Sequence, residues 1–263
     1  MNAVKDFLKY KENKKKISIV TCYDYWSALI ISESNIDALL VGDSAAMVMN
    51  GYSSTIYAHT QMMLHHTNSV KKGAPNKLII SDLPFLEHRK GKKKLFSSVD
   101  KLMKAGANAI KIEGADGNLE LITCLTSAGV PVIGHLGFTP QHIFLKGGYK
   151  VQGKTKIEAD LLLQNAQKLQ EAGCFALVLE MVPVKAAKTI SANLSIPIIG
   201  IGAGKYTDGQ VLVLHDLLGF YNDINPKFVR KYLDGSSLIK NALNKFHQDV
   251  ESGDFPSSDE SFL

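Results

Sequence analysis

Ionisable residues close several apolar runs of this chain, where charge is normally excluded. Gly42-Asp43-Ser44 ends one run and Ser81-Asp82-Leu83-Pro84 a second. Lys111-Ile112-Glu113-Gly114, Gly134-His135-Leu136-Gly137 and Leu179-Glu180 end three more. A charge at the tip of a buried strand needs a partner, so the series points to one shared cleft more than to separate solvated tips. Asp43, Asp82 and Glu113 together suit a hard cation bound through oxygen. Magnesium fits, because it takes few protein ligands, keeps several waters and lets a chelating substrate complete its octahedron. Lys111 lies two residues before Glu113 and so points the same way from a strand. A desolvated lysine is open to Schiff-base chemistry, but a neighbouring carboxylate keeps it protonated and favours a charge-stabilising role. No His/Cys cluster competes for zinc. His65 and His66 are adjacent on a helical pattern and diverge, and His59 and His142 fall in loops.

Such tips have to be held by strands. Eight short runs rich in Val, Ile and Leu cover 17–22, 38–42, 77–81, 109–112, 131–134, 175–179, 197–201 and 211–214. Runs of this kind suit parallel strands buried on both faces. Helical patterns over 25–34, 60–72, 97–105, 119–128, 157–172 and 184–193 separate most of them, and Gly73, Gly106, Gly129 and Gly173 sit where helix C-caps belong. The alternation predicts a single-domain (β/α)8 TIM barrel over 1–251, with extra N-terminal and C-terminal helices and a polar tail over 252–263. The link after Ile201 is too short for a helix. The rival is an open doubly wound sheet, which would carry a phosphate loop after its first strand; here that strand runs into Thr21-Cys22-Tyr23-Asp24. The Gly200-Ile201-Gly202-Ala203-Gly204 run matches neither common phosphate-loop spacing and reads as a close-packed turn or a backbone approach to ligand. Residues 134–155 form a long glycine-rich insertion suited to a lid or binding loop.

Composition narrows the function classes. The chain has 263 residues, 45% of them hydrophobic, and a net charge of +5. Its only arginines are Arg89 and Arg230, so lysine supplies nearly all the positive charge. Lysine lacks the planar fork used to read phosphates and bases, which argues against a nucleic-acid partner. The runs Lys14-Lys15-Lys16 and Lys92-Lys93-Lys94 read as solvated loops. Cys22, Cys124 and Cys174 are odd in number and widely spaced, against a disulfide framework. No apolar stretch approaches the roughly 20 residues of a membrane span, and residues 1–16 carry acids unlike a targeting segment. The expectation is a cytoplasmic protein acting on small molecules.

The same residues carry a family resemblance. Thr21-Cys22-Tyr23-Asp24, Val41-Gly42-Asp43-Ser44, Lys71-Lys72-Gly73-Ala74-Pro75, Ser81-Asp82-Leu83-Pro84-Phe85 and Lys111-Ile112-Glu113-Gly114 follow one another in order. Gly134 to Gln141, Gly147 to Gly153, Leu179-Glu180 and Gly200 to Gly204 continue the series. In order and spacing the chain resembles the ketopantoate hydroxymethyltransferases of the phosphoenolpyruvate/pyruvate barrel superfamily. The resemblance implies Mg2+ at Asp43, Asp82 and Glu113, some of them through water. It implies a keto-acid set of Asp43, Ser44, Asp82 and Lys111, with His135 as a further substrate contact. It makes Glu180 the proton acceptor, 5,10-methylenetetrahydrofolate the co-substrate and a homo-oligomer, a decamer in the family, the assembly. Two stretches depart from the usual pattern: Ala45-Ala46-Met47 stands for Leu-Gly-Met, and Tyr52 to His59 replaces a His-x-x-Thr-Leu-Pro-Val-Thr segment. Two other readings remain at this stage: a magnesium-dependent carbon–carbon lyase acting on a 2-oxo acid, and a barrel that binds a small acid without turning it over.

Overall fold

The computed structural model describes residues 4–221 and 226–262. Residues 1–3 of the N-terminal stretch and Leu263 of the tail lie outside them. Eight parallel strands close into a barrel in chain order. They are β1 (Ile17–Thr21), β2 (Ala38–Val41), β3 (Leu78–Asp82), β4 (Ala109–Glu113), β5 (Val132–Gly137), β6 (Ala176–Glu180), β7 (Ile198–Ile201) and β8 (Gly209–Leu212). Pairing of β1 with β8 closes the ring, Ile17 opposite Gly209. The helices preceding and joining these strands are α1 (Lys5–Glu12), α2 (Tyr25–Glu33), α3 (Ala45–Val48), α4 (Thr60–Gly73), α5 (Lys92–Lys104), α6 (Leu119–Ser127), α7 (Ile143–Lys146), α8 (Lys156–Glu171) and α9 (Val184–Asn193). No helix joins β7 to β8, as the short link requires.

Alternate residues of each strand point into the barrel. Ile19, Leu40, Ile80, Ile133, Val178, Ile199 and Val211 fill its middle. Below them Ala38, Ala109 and Ala176 leave room at the strand starts, and Phe7 of α1 enters that space with no exposed surface. Phe7 meets Phe175 edge-on, with ring centroids 5.2 Å apart. Lys11 anchors the same helix through Asp208 and the carbonyls of Ser191 and Ile196. The N-terminal helix is therefore a stopper for the lower mouth, and the upper mouth is left to polar groups.

The structure corrects several boundaries. Strands β3 to β6 run one to three residues further than their apolar runs, so Asp82, Glu113, His135 and Glu180 lie inside strands. Charge hid those ends in the sequence, because a charged residue is compatible with a buried strand only once its partners are known. β8 begins two residues before its run, at Gly209, where a bare backbone admits Ile17 at the closure seam. Lys92-Lys93-Lys94 is the first turn of α5, not a loop. Three cations at a helix N-terminus oppose its dipole. Buried Glu87 offsets them, 2.7 Å from Lys90 and 3.9 Å from Lys94, and accepts a hydrogen bond from Ser98 on α5.

A second compact unit, Val213–Leu263, holds α10 (Leu214–Leu217) and α11 (Gly235–Ser252). Asp234 caps α11 by accepting the Ser237 N–H, and Gly253 ends it in the left-handed region. Among the described residues no helix is long and apolar enough to cross a membrane.

Candidate active site

Barrel register brings the charged tips together. Asp82 lies opposite Lys111, Glu113 opposite His135, and Gly137 opposite Glu180. Ile80 and Asp82, Ala109 and Lys111, Ile133 and His135, and Val178 and Glu180 each share the inward face, the apolar partner below and the polar one above. Asp43 reaches the group differently. Leu40, not Leu39 or Val41, points inward, so simple alternation would turn Asp43 outward. The strand ends at Val41, however, and the chain bends at Gly42. Asp43 then donates its backbone N–H to Asp82 Oδ2 at 3.0 Å.

Lys111 is the hub. Its Nζ lies 3.2 Å from Asp82 Oδ2, 3.5 Å from Glu113 Oε1 and 3.3 Å from His135 Nδ1. Burial alone would lower its pKa, but Asp82, Glu113 and Asp43 outweigh that and hold it well above the ordinary lysine value. The ammonium stays charged, which fits charge stabilisation and disfavours Schiff-base chemistry. His135 joins the two ends of the site: its Nδ1 is 3.3 Å from Glu113 and its Nε2 3.3 Å from Glu180 Oε2. Glu180 is the least enclosed of these groups, with 14% of its side chain exposed.

Gln141 and Tyr23, to which the sequence reading gave no role, also bond to residues of the cluster. The side-chain amide of Gln141 donates to Asp43 Oδ2 at 2.8 Å and to the Leu83 carbonyl at 2.9 Å. Its backbone N–H donates to Glu113 Oε2 at 3.0 Å. Tyr23 is buried after β1 and its hydroxyl lies 2.8 Å from Ser44 Oγ, fixing that serine where α3 begins. Both residues lie in the matched motifs, and Thr139-Pro140-Gln141 was the available signal for the first. The loop histidines have other work. His59 caps α4 by accepting the Met62 N–H, and His142 pairs with Thr139. In the glycine run after β7, a Cβ on Gly200 would sit 2.8 Å from Thr207 Oγ1 and one on Gly204 2.6 Å from Val184, so packing explains that segment.

The carboxylates divide into occupied and unoccupied oxygens. Glu113 is fully engaged by Lys111, His135 and Gln141. Lys111 leads the effects that outweigh burial and hold its carboxyl down to about 2. Asp82 uses Oδ2 for Asp43 and Lys111, while its buried Oδ1 has no hydrogen-bond partner. Asp43 uses Oδ2 for Gln141, and Oδ1 takes no hydrogen bond among the described residues. Burial, then the charges of Asp82 and Glu113, push the Asp43 carboxyl well above its ordinary value. Three acids against one ammonium leave the site short of positive charge. Among the described residues no three His, Cys, Asp or Glu side chains close around one ion by themselves. Two single oxygens with water and substrate to complete the shell instead match the habit of magnesium.

A family model described as ketopantoate hydroxymethyltransferase matches residues 2–258. The chain belongs to the ketopantoate hydroxymethyltransferase family. Relatives named 3-methyl-2-oxobutanoate hydroxymethyltransferase agree along its length. One from Coxiella burnetii (strain CbuG_Q212) is 54% identical over 95% of both chains. One from Bdellovibrio bacteriovorus is 52% identical over 100% of both, and one from Legionella pneumophila (strain Lens) is 51% identical over 98% of this chain and 99% of its own. Among solved structures, a 2,3-dimethylmalate lyase of the PEP mutase/isocitrate lyase superfamily aligns with TM-score 0.64 at 15% identity, covering 100% of this chain and 92% of its own. A phosphonopyruvate hydrolase aligns with TM-score 0.64 at 10% identity, covering 99% and 93%. These likenesses concern the fold, a (β/α)8 barrel. The positions that depart from the usual family pattern lie in and after α3. Ala45 and Ala46 are fully buried in α3, and Tyr52 and Tyr57 stack on one another with centroids 5.0 Å apart.

Proposed function

We propose that this enzyme transfers a hydroxymethyl group from 5,10-methylenetetrahydrofolate to 3-methyl-2-oxobutanoate, forming 2-dehydropantoate (ketopantoate) for pantothenate biosynthesis. The substrate follows from the name its relatives share, and a hydroxymethyltransferase requires a one-carbon donor. One observation supports the chemistry: Asp82 Oδ1 is buried without a partner beside Asp43, one strand from protonated Lys111. Asp43 and Asp82 would hold Mg2+ directly, with Glu113 acting through water because its own oxygens are engaged. Bound there, magnesium supplies positive charge that polarises the ketone of the 2-oxo acid.

The chain's own groups do the rest. Lys111 and Ser44 receive the anionic end of the substrate, and Tyr23 keeps the Ser44 hydroxyl aimed. The Glu180 carboxylate takes the proton from the carbon next to the ketone. His135, in contact with both Glu180 and Glu113, keeps that carboxylate over the site and adds a substrate-side contact. The carbon so activated forms its new bond to the methylene carbon of the folate donor as one of that carbon's two C–N bonds breaks, and the freed nitrogen takes the proton held by Glu180. Water then displaces the second nitrogen, supplies the hydroxyl oxygen of the product and leaves its proton on that nitrogen, releasing tetrahydrofolate. Residues 1–251 are read as the catalytic barrel domain with 252–263 as tail. A cytoplasmic homo-oligomer, a decamer as in the family resemblance, completes the reading, with no nucleic-acid or membrane partner.

The test is incubation with both substrates and Mg2+, with and without chelator. Ketopantoate formed only without chelator is expected. Cleavage of a 2-hydroxy or 2-oxo acid in the absence of folate would favour a lyase instead. Metal binding with no turnover would leave a non-catalytic barrel.

A further inference from the structure

We infer that Gln141 is a positioning residue that sets the metal preference of the site. The inference rests on the reading that Asp43 and Asp82 bind magnesium. Gln141 is 4% exposed and stands in the turn after β5, far in sequence from the acids it touches. Its side chain faces two acceptors, Asp43 Oδ2 and the Leu83 carbonyl. Two acceptors require the NH2 end of the amide, so both of its N–H donors are consumed there. Leu83 follows directly on Asp82, so the same amide fixes the position of one aspartate relative to the other. The backbone N–H of Gln141 meanwhile holds Glu113 Oε2.

The consequence concerns how many oxygens each acid can offer. With Oδ2 held, Asp43 presents a single oxygen. With Oδ2 bonded to the Asp43 N–H and to Lys111, Asp82 also presents one. Magnesium needs near-ideal octahedral geometry and takes carboxylates one oxygen at a time. Calcium accepts more ligands at longer distance and readily takes both oxygens of one carboxylate. Gln141 thus disfavours calcium by denying it the second oxygen of Asp43. If the side-chain donors are removed, Asp43 is free to rotate and chelate through both oxygens.

The experiment needs no turnover. Mn2+ binding to the full chain is followed by electron paramagnetic resonance, and Mg2+ or Ca2+ is used to displace it. Gln141→Met keeps the length of the side chain and the backbone N–H but removes both amide donors. Loss of one outer hydrogen bond to a metal ligand changes metal affinity by roughly 10–100-fold. The ratio of Mg2+ to Ca2+ dissociation constants is therefore expected to move toward calcium by about tenfold or more. A general loss of stability would not move that ratio in one direction. Should the melting curve show that Gln141→Met does not fold, Gln141→Asn carries the test, because its shorter amide cannot span both acceptors. An unchanged ratio in the folded variant overturns the inference alone. Failure of the wild-type chain to bind Mn2+ overturns the metal reading and this inference with it.

Discussion

Glu180 and Lys111 show how environment separates the roles of charged residues that sit a few ångströms apart. Lys111 is enclosed by acids and keeps its proton. Glu180 has the greatest solvent contact in the cluster, and among the described residues its one ionisable partner within 4 Å is His135. A group that must pass a proton to and from a substrate needs this freedom, whereas a group that holds charge needs enclosure. Glu180→Gln is nearly isosteric and leaves Asp43 and Asp82 untouched. It is expected to lower kcat by roughly 100-fold or more, the usual scale of a lost general base, while Mn2+ affinity stays within about threefold of wild type, outside the range of a lost outer hydrogen bond to a metal ligand. Parallel kinetic and binding titrations check this, and equal loss of both would remove Glu180 from the role of base.

At the scale of elements, loops hold what strands present. The insertion after β5 is pinned at Gln141 and again where the Gln152 N–H donates to the Met181 carbonyl. Gly137, at φ 90° and with its would-be Cβ 2.2 Å from the Glu180 carbonyl, is where only glycine lets β5 turn beside β6. The β3–α5 loop is packed as tightly. Burial, then the charges of Arg89 and His142, push buried His88 down to about 4. Its unfolded value is near 6.5, so between these limits the unfolded chain binds more protons than the folded one. Stability is therefore full above about pH 6.5 and falls as the pH drops toward 4. The linked loss is roughly 3 kcal/mol. Denaturant melts of wild type and His88→Asn across that range should differ in slope, the variant being flatter. Parallel slopes would place the acid sensitivity elsewhere.

Across the whole molecule, the barrel divides its two mouths between kinds of interaction. The lower mouth is closed by apolar packing around Phe7, the upper by a network of charged groups. The two depend on one another, because Asp82, Lys111, His135 and Glu180 each stand on an apolar residue one inward step below. Phe7→Ala is expected to cost about 3–5 kcal/mol, as for a fully buried aromatic side chain. Chemical denaturation measures that directly, and a loss under about 1 kcal/mol would mean that the stopper contributes little. The variant should retain the metal preference of wild type in whatever fraction remains folded.

The sequence by itself determined the barrel, the identities of Asp43, Asp82, Lys111, Glu113, His135 and Glu180, and the family. Periodicity and composition record which residues are buried, and charge at the end of an apolar run is too costly to stand there unpartnered. Only the tertiary structure decided which oxygen of each acid is spoken for, that Asp43 turns inward against its strand parity, and that Gln141 and Tyr23 belong to the site. Those facts come from contacts between residues as far apart as Asp43 and Gln141, separated by 98 positions. Local pattern carries burial and direction along one strand; partners across a closed ring are fixed by its register.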